Sequence, residues 1–423
     1  MTFTDLAHSH DSWIEAGGYE LEHDYPAVEY QARLVRARAW MADADLDGLV
    51  ITSSVVGRWF TSLREPHEWH DICQARSAWY VLSHDRDILF MTPTAAGEHL
   101  NTTRRSTWVS EIHGIVERSG RPGRVEIWAL EQMPEYLAEL GLARGRLGFE
   151  LGDCMTLGLS VADFLHLREL MPDAALVDGS AVIRRLMSVL TPWEVDQLRT
   201  ACVAGDWIHA QVPELLQASQ TERGFFAALD RRFFERYTEP YTYTATGVWD
   251  VRNAREPASS NMFHAVATDR PFRSGDVVMR GYSGVGFRGY VADTDRVWAI
   301  GSPSAAVRDL YTLTWECNRA MAEAIRPGVR CAEVYEAGAR IEANHGRAPR
   351  LAGRTGHGFR NTGAISVHPD CPTVLEPGMV ISVEPMFPTI HGFFDLEDQY
   401  VVTEQGAECL HEPASAELPV IEA

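Results

Sequence analysis

Four side chains in the C-terminal half of this 423-residue chain are of types that bind divalent metals. His357 in GRTGHGFRN, Glu384 in MVISVEPMF and Glu397 in LEDQYVVT lie within one short stretch, and Asp293 precedes them in GYVADTDRVW. An imidazole with three carboxylates is a hard, mostly oxygen ligand set, which suits Mn, Fe, Co or Zn. Each of the four lies in or beside a strand-like run, and strands hold ligands more firmly than loops do.

The local sequence around three of these residues bears on the metal hypothesis. Glu384 lies in an apolar run, so its carboxylate must be paired with a cation, protonated or bound to a metal. His357 lies between two glycines, which would let the backbone approach a ligand closely. Glu397 belongs to the acidic segment DLED, which is more typical of a solvated surface. A buried salt bridge for Glu384 and a structural role for His357 remain the alternatives.

Together, the motifs GHG, PGMVISVEP, LEDQYVVTEQG and GYxxDxxR resemble those of the pita-bread superfamily. This superfamily includes methionyl aminopeptidases, aminopeptidase P, prolidase, creatinase and ectoine hydrolase. The resemblance is good over residues 190–410 and looser over the N-terminal half. It implies that Asp293, His357, Glu384 and Glu397 are metal ligands, and that His357 and Glu384 are also catalytic.

Four further residues have roles that only the resemblance implies. His264 would be a catalytic residue that contacts the substrate and shuttles a proton, a role that suits an imidazole with a pKa near neutrality. Asp295 and His368 would contact the substrate. Arg76 would reach the substrate carboxylate in a neighbouring subunit as a bidentate clamp. The alternatives are a surface loop for His264, a surface Arg for Arg76 and an ion pair with a nearby Arg for Asp295.

Two positions depart from the superfamily pattern. Gly281 stands where the superfamily carries the first of its two Asp ligands, and no carboxylate occurs between Asp276 and Asp293. The sequence therefore predicts one metal, or none as in creatinase, instead of two. The presence of Glu397, which creatinase-like enzymes lose, favours one. Asp395 stands where members often carry Arg, and its charge would repel an anionic substrate group.

The order of helix-like and strand-like segments predicts two domains after an N-terminal arm, residues 1–29. Residues 30–187 alternate helix and strand, which predicts an α/β domain of the creatinase N-terminal type. Residues 188–423 predict an α+β domain of the pita-bread type. Its first helix has a capping box at Thr191-Pro192-Trp193-Glu194 and would run through HAQVPELL. Two more helices are predicted over 304–325 and 331–345.

Composition excludes several classes of function. The formal net charge of −21 argues against nucleic acid or an anionic membrane as partner. The chain has no lysine, which excludes a Schiff base, a pyridoxal-phosphate anchor and a Walker A phosphate site. Seven scattered cysteines, no apolar run of membrane length and a polar N-terminus predict a cytoplasmic protein with reduced thiols. The GxGxxG at 284–289 leads into a strand, so no nucleotide is expected.

These observations predict a creatinase-like hydrolase that cleaves a C–N bond in a small zwitterionic amidine or amide. One divalent metal or none would be bound, and a homodimer would share residues between its sites. Three alternatives stay open: a metal-dependent Xaa-Pro dipeptidase or aminopeptidase, a lyase of the dimethylsulfoniopropionate type, and a non-catalytic protein that binds a small molecule.

Overall fold

The computed structural model forms two compact units, Met1–Leu186 and Met187–Ala423. The residues it describes are 23–63, 78–91, 107–114, 130–153, 155–218, 221–238, 241–243, 269–346, 354–359 and 365–422. The first unit has the predicted α/β class and the second has the predicted α+β class, so both class predictions are confirmed. None of the helices in these residues is both long enough and apolar enough to cross a membrane.

The N-terminal unit is built around one sheet of six strands in the order β4-β3-β2-β1-β5-β6. Its elements are α1 (Ala27–Asp43), β1 (Gly48–Ile51), α2 (Ser54–Thr61), β2 (Trp79–Ser83), β3 (Asp87–Met91), β4 (Glu111–Gly114), a 3-10 turn (Leu130–Gln132), α3 (Met133–Glu139), β5 (Arg146–Phe149), α4 (Val161–Leu170), β6 (Ala175–Asp178) and α5 (Ser180–Ser188). Every residue of β1, Gly-Leu-Val-Ile, is buried, as expected for a central strand covered on both faces.

The C-terminal unit combines helices with three small sheets. Its helices are α6 (Pro192–His209), α7 (Val212–Ala218), α8 (Glu222–Arg236), α9 (Ala305–Ala324) and α10 (Cys331–Asn344). Its strands are β7 (Tyr241–Tyr243), β8 (Val277–Phe287), β9 (Tyr290–Ile300), β10 (Gly356–Gly358), β11 (Val380–Val383), β12 (Met386–Thr389), β13 (Gly392–Asp395), β14 (Asp398–Thr403), β15 (Gly406–Cys409) and β16 (Val420–Ile421). The predicted helices over 304–325 and 331–345 are confirmed as α9 and α10.

Helix α6 begins with the predicted capping box but is shorter than the sequence suggested. The Thr191 side chain accepts from the Glu194 amide, and the Glu194 carboxylate accepts from the Thr191 amide at 3.0 Å. The helix ends at His209 instead of running through the next seven residues, and α7 starts separately. Pro213 explains the correction, because its ring would clash with the carbonyl of His209 one turn earlier.

The long hairpin of β8 and β9 lies between two apolar layers. Val278 and Trp298 pack with α6 and α8 on one face, while Val277, Val297 and Ala299 pack with α9 and β13 on the other. Both strands therefore have a core on each side. Polar side chains on this hairpin are forced into protein surroundings, where each needs a partner.

A second sheet, in the order β10-β11-β14-β15, lies beside the hairpin. One bridge joins the two: the Asp295 amide donates to the Glu397 carbonyl at 3.3 Å, and the Glu397 amide donates back at 3.2 Å. Arg296 reinforces this junction, since its guanidinium donates to the Glu397 carbonyl at 2.6 Å and to Asp398 Oδ1 at 2.7 Å. The strand with Asp293 and Asp295 is thus fixed against the segment that carries Glu397.

Candidate metal centre

Four strands bring acidic side chains and a histidine close together. Strand β9 carries Asp293 and Asp295, which lie two apart and so point to the same side, as predicted. His357 is the middle residue of β10 and pairs with Ser382 of β11. Glu384 directly follows β11, and Glu397 directly precedes β14. Because β10, β11 and β14 are neighbours, the last three residues lie at one end of a single sheet.

Asp293, His357 and Glu397 form the tightest part of this cluster. One ligand atom from each lies within 4.8 Å of the other two, a spacing that could hold a metal ion. The Nε2 atom of His357 is 3.3 Å from Asp293 Oδ2 and 3.5 Å from Glu397 Oε1. The structure thus brings together three of the four predicted ligands, and their role as ligands stays a prediction.

The tautomer of His357 suits a metal ligand. Its Nδ1 lies 2.9 Å from the carbonyl oxygen of Gly358, which can only accept a hydrogen bond. The proton is therefore on Nδ1, and the lone pair of Nε2 points toward the two carboxylates. Burial lowers the pKa of His357 to about 4, with the Gly358 hydrogen bond opposing the shift and Arg354 adding to it. The imidazole is neutral at pH 7, the form that binds metal.

Glu384 lies beside this group of three. Its amide donates to the Thr355 carbonyl at 2.9 Å, which fixes the backbone where β11 ends. Glu384 is 8% exposed, and its Oε1 is 3.6 Å from an Arg354 nitrogen but has no hydrogen-bond partner among the residues that the structure describes. Burial raises the pKa of Glu384 well above its usual value, and the charges of Glu397 and Asp295 raise it further. The alternative of a buried salt bridge for Glu384 corresponds to this 3.6 Å ion pair with Arg354.

Asp395 is a member of the cluster that the sequence did not predict. It is 1% exposed and shares a hydrogen bond with the carboxyl group of Asp295. Its neighbours in sequence, Phe394 and Leu396, are fully buried. The signal was present in GFFDLED, because a carboxylate among apolar residues needs a partner, the same argument that singled out Glu384.

The acidic groups of the cluster raise one another's pKa. Burial is the largest cause for Asp293, Asp395 and Glu397, and the charge of Asp295 adds to all three shifts. Glu397 is only 2% exposed, which excludes the solvated surface that its acidic segment DLED offered as an alternative. Its Oε1, like Oδ1 of Asp395, has no hydrogen-bond partner in the described part of the chain. Buried carboxylate oxygens without a hydrogen-bond partner are suitable ligands for a divalent cation, which prefers oxygen ligands.

Two family models match this chain. The Creatinase/Prolidase N-terminal domain matches residues 33–189, and Metallopeptidase family M24 matches residues 196–404. The chain therefore contains an M24 domain preceded by a creatinase/prolidase N-terminal domain. The resemblance to pita-bread enzymes is confirmed, and so is the enzyme class, a hydrolase of C–N bonds.

Relatives of this chain have names that indicate more than one class of substrate. It is 29% identical over 419 residues to the probable dipeptidase PepE of Mycobacterium tuberculosis, covering 92% of this chain and 97% of the relative. It is 25% identical to the Xaa-Pro dipeptidase of Lactobacillus helveticus, covering 88% and 95%. It is 24% identical to the creatinase of a Bacillus species, covering 93% of each.

The crystal structure of dipeptidase PepE from Mycobacterium ulcerans has the same fold. It superposes with a TM-score of 0.73 at 24% identity, covering 94% of this chain and all of that one. The predicted pita-bread fold is therefore confirmed. Members of the M24 family normally use divalent metals, in agreement with the donor set described above.

The two glycines around His357 allow close packing against neighbouring residues. A Cβ atom on Gly358 would lie 2.8 Å from Cβ of Ile365, and one on Gly356 would lie 2.7 Å from a methyl carbon of Val367. Side chains at either position would push the neighbouring segment away. The glycines thus let β10 lie close to protein, whereas the sequence had suggested close approach to a ligand.

Three predicted residues remain, and two of them lie outside the described part of the chain. His264 and Arg76 fall outside the described residues. Nδ1 of His368 lies 3.8 Å from Asp370 Oδ2, and 40% of the His368 side chain is exposed. Its ring is tilted by 43° relative to the ring of Tyr335, with 6.5 Å between the ring centroids. Its role in substrate binding stays a prediction.

Proposed function

We propose that this protein is a metal-dependent dipeptidase that hydrolyses the C–N bond of a small peptide. The observation that carries the proposal is the buried group of Asp293, His357 and Glu397, with the Nε2 lone pair and carboxylate oxygens directed at one point. These three residues would hold a divalent ion together with Glu384. Mn, Fe, Co and Zn all suit such a set of oxygen and imidazole ligands.

Such an ion would supply Lewis acidity, lowering the pKa of a bound water and polarising the scissile carbonyl. Glu384 is placed to handle the proton. Its raised pKa and its Oε1, which has no hydrogen-bond partner among the described residues, suit it to take a proton from water. His264 is the residue predicted to donate a proton to the leaving nitrogen.

Arg354 is proposed to orient the substrate. Its side chain is 39% exposed, and a guanidinium nitrogen lies 3.6 Å from Glu384 Oε1, so it reaches both the cluster and solvent. A guanidinium in this position can bind the carboxylate of a dipeptide with charge-assisted hydrogen bonds. The substrate would then lie with its scissile carbonyl beside Glu384.

A creatinase-like reaction on a small zwitterionic amidine is the second candidate. It is supported by Gly281, which provides no carboxylate at the position of the superfamily's first Asp ligand, and by the similarity to a creatinase over the full chain. In that case Asp295 and Glu384 would hold the cationic group of the substrate.

The test combines metal content with turnover. The purified protein is analysed by inductively coupled plasma mass spectrometry, then assayed with Ala-Pro, Gly-Pro, Ala-Ala and creatine before and after treatment with a chelator. We expect bound metal and dipeptide cleavage that the chelator abolishes and Mn restores. Glu384→Gln should lose activity, whereas Glu408→Gln, which removes only a surface ion pair with Arg199, should not.

Two outcomes would overturn the dipeptidase proposal. Cleavage of creatine that survives the chelator would move the creatinase-like reaction ahead. Turnover of none of these substrates by metal-loaded protein would favour the lyase or the non-catalytic alternative.

A further inference from the structure

Helix α9 places a primary amide on its buried face. Asn318 is 0% exposed, and its neighbours on this face, Cys317, Met321 and Ala322, are buried as well. A primary amide that leaves water for apolar surroundings loses free energy unless its polar atoms find partners. The partners of Asn318 therefore indicate what this side chain does.

Both amide hydrogens of Asn318 are directed at backbone carbonyl groups. Its Nδ2 atom lies 2.8 Å from the carbonyl oxygen of Leu396 and 3.2 Å from that of Val383. Carbonyl oxygens only accept hydrogen bonds, so the NH2 group must face them and Oδ1 must point away. Oδ1 is buried and has no hydrogen-bond partner among the described residues. The two carbonyl groups thus determine how the amide is oriented.

Each of these carbonyl groups belongs to the peptide unit of a candidate ligand. Val383 directly precedes Glu384, and Leu396 directly precedes Glu397. A peptide unit is planar, so a hydrogen bond to its carbonyl oxygen also restrains the amide nitrogen and Cα of the following residue. One side chain, Asn318, therefore restrains the backbone of two carboxylates that lie far apart in the sequence.

The amide side of each peptide unit is also held. The Glu384 amide donates to the carbonyl of Thr355 at 2.9 Å, and the Glu397 amide donates to the carbonyl of Asp295 at 3.2 Å. With Asn318 on the carbonyl side, both peptide units are hydrogen-bonded on both sides. Neither unit can rotate without breaking a buried hydrogen bond, so the Cα atoms of the two glutamates keep a fixed separation.

We propose that Asn318 is a positioning residue that sets the separation of the Glu384 and Glu397 carboxylates around the bound metal. It acts through the backbone of these two residues and does not itself contact the ion. Groups that orient metal ligands affect metal affinity, and a shift of about 1 Å is enough to impair a site of this kind. This inference rests on the proposed function, which makes Glu384 and Glu397 metal ligands.

A purely structural role for Asn318 is the alternative, and α9 offers a matched control for it. Thr314 lies one turn before Asn318 on the same buried face, is 0% exposed, and donates from its hydroxyl to the Leu310 carbonyl at 2.8 Å. Thr314→Val removes a buried hydrogen bond that lies wholly within α9. A structural role predicts that variants at both positions lower stability and leave metal binding unchanged.

The experiment compares the full-length protein with three variants of Asn318. Asn318→Leu keeps the approximate shape without a donor, Asn318→Ala removes the donors without adding bulk, and Asn318→Gln keeps both donors on a longer side chain. Mn²⁺ affinity, measured by isothermal titration calorimetry, should fall about tenfold in the Leu and Ala variants. Asn318→Gln should recover part of this loss, and Thr314→Val should bind Mn²⁺ as the wild type does.

Two further measurements report on the site itself. The visible absorption of bound Co²⁺ depends on the geometry of its ligands, so the spectrum should change in Asn318→Leu and stay the same in Thr314→Val. With saturating Mn²⁺, Asn318→Leu should lower kcat for a dipeptide more than it raises KM, because Glu384 moves and Arg354 does not. Circular dichroism checks the fold of each variant, and Asn318→Ala replaces Asn318→Leu if the latter is unfolded.

The outcomes separate this inference from the proposed function. Unchanged Mn²⁺ affinity and an unchanged Co²⁺ spectrum in the donorless Asn318 variants would overturn the positioning role and leave the dipeptidase proposal intact. An equal loss of affinity in Thr314→Val would also overturn it, because a general weakening of α9 would then explain the effect. Weaker binding confined to the Asn318 variants, without turnover of any dipeptide by the wild type, would support the positioning role and overturn the dipeptidase proposal. No bound Mn²⁺ in the wild type would overturn both.

Discussion

Two buried acidic sites in this protein have opposite surroundings. In the N-terminal unit, Glu150 is 1% exposed, and its carboxylate accepts from the Thr52 amide at 2.8 Å, the Thr52 hydroxyl at 3.0 Å, the Ser53 amide at 3.0 Å and the Ser53 hydroxyl. In the C-terminal unit, Glu384, Asp395 and Glu397 each have a buried oxygen that no described residue hydrogen-bonds.

The number of hydrogen-bond donors around each carboxylate distinguishes a structural site from one suited to binding an ion. Four donors surround Glu150, so its burial is compensated by protein groups and it acts as a structural link between β1 and β5. In the candidate metal centre, carboxyl groups lie close together and few of the described donors reach them. A site of this kind is stable only with protons or a cation, and so it is suited to binding an ion.

The largest expected effect is loss of metal on His357→Ala. Removal of a direct ligand should weaken Mn²⁺ binding by more than about 100-fold, since loss of outer partners alone costs roughly 10- to 100-fold. Titration calorimetry would measure it. Glu150→Gln should bind Mn²⁺ as the wild type does, and His368→Ala, a histidine in the same segment, is the second control. Weaker Mn²⁺ binding by Glu150→Gln would contradict the proposed difference between the two acidic sites.

The second effect concerns the stability of metal-free protein. Glu150→Ala leaves buried donors of Thr52 and Ser53 without an acceptor, which should cost about 3 kcal/mol in the free energy of unfolding. Asp395→Asn removes like-charge repulsion and should be neutral or should stabilise by about 1 kcal/mol. Urea unfolding in the presence of a chelator would measure both. Destabilisation by both variants to the same extent would contradict the comparison.

The third effect is a change of stability with pH. The pKa values of Asp293, Glu384, Asp395 and Glu397 are raised in the folded protein. Their stabilising contribution is therefore complete below the unfolded pKa, about 4, and is lost as pH rises through the folded values. His357 has a lowered pKa, so its contribution is lost as pH falls from 6.5 toward 4.

Because Mn²⁺ replaces the protons on these carboxyl groups, it should raise Tm more at pH 8 than at pH 6. Differential scanning fluorimetry with and without a chelator would measure this. Asp395→Asn should reduce the pH dependence of the metal-free protein. An equal Mn²⁺-induced shift at both pH values would show that the cluster is already ionised without metal.

The smallest expected effect is on substrate binding. Arg354→Ala should raise KM for a dipeptide about tenfold and leave the metal content unchanged, since a charge-assisted hydrogen bond contributes roughly 1.5 kcal/mol. Steady-state kinetics would measure the change. Arg330→Ala, which removes an exposed pair with Glu333, is the control. A lower kcat with an unchanged KM would contradict this role, because it would show that Arg354 acts on Glu384 and does not bind the substrate.

Much of this structure could be predicted from local sequence. Short-range signals mark the strand of Asp293, the capping box of α6 and the helices α9 and α10. The four candidate ligands were identified from motifs taken together, since the acidic segment around Glu397 is by itself typical of a solvated surface. The end of α6 was missed although Pro213 marks it. The contact between Asp295 and Asp395 could not be predicted, because it depends on the pairing of β8 with β9 and on the position of β13. The sequence shows that Gly281 lacks a carboxylate, but only the hairpin register shows that Asp295 fills its place.

The junction between the hairpin and the second sheet also has a kinetic consequence. The hydroxyl of Thr294 donates to the carbonyl of Glu397 across 103 residues of chain, so this junction closes a very long loop. Contacts of such range form late in folding, after local helices and hairpins. An ion that binds only the completed junction would leave the refolding rate unchanged and slow unfolding. In the cell, the bound metal would then slow unfolding and so prolong the lifetime of the folded protein.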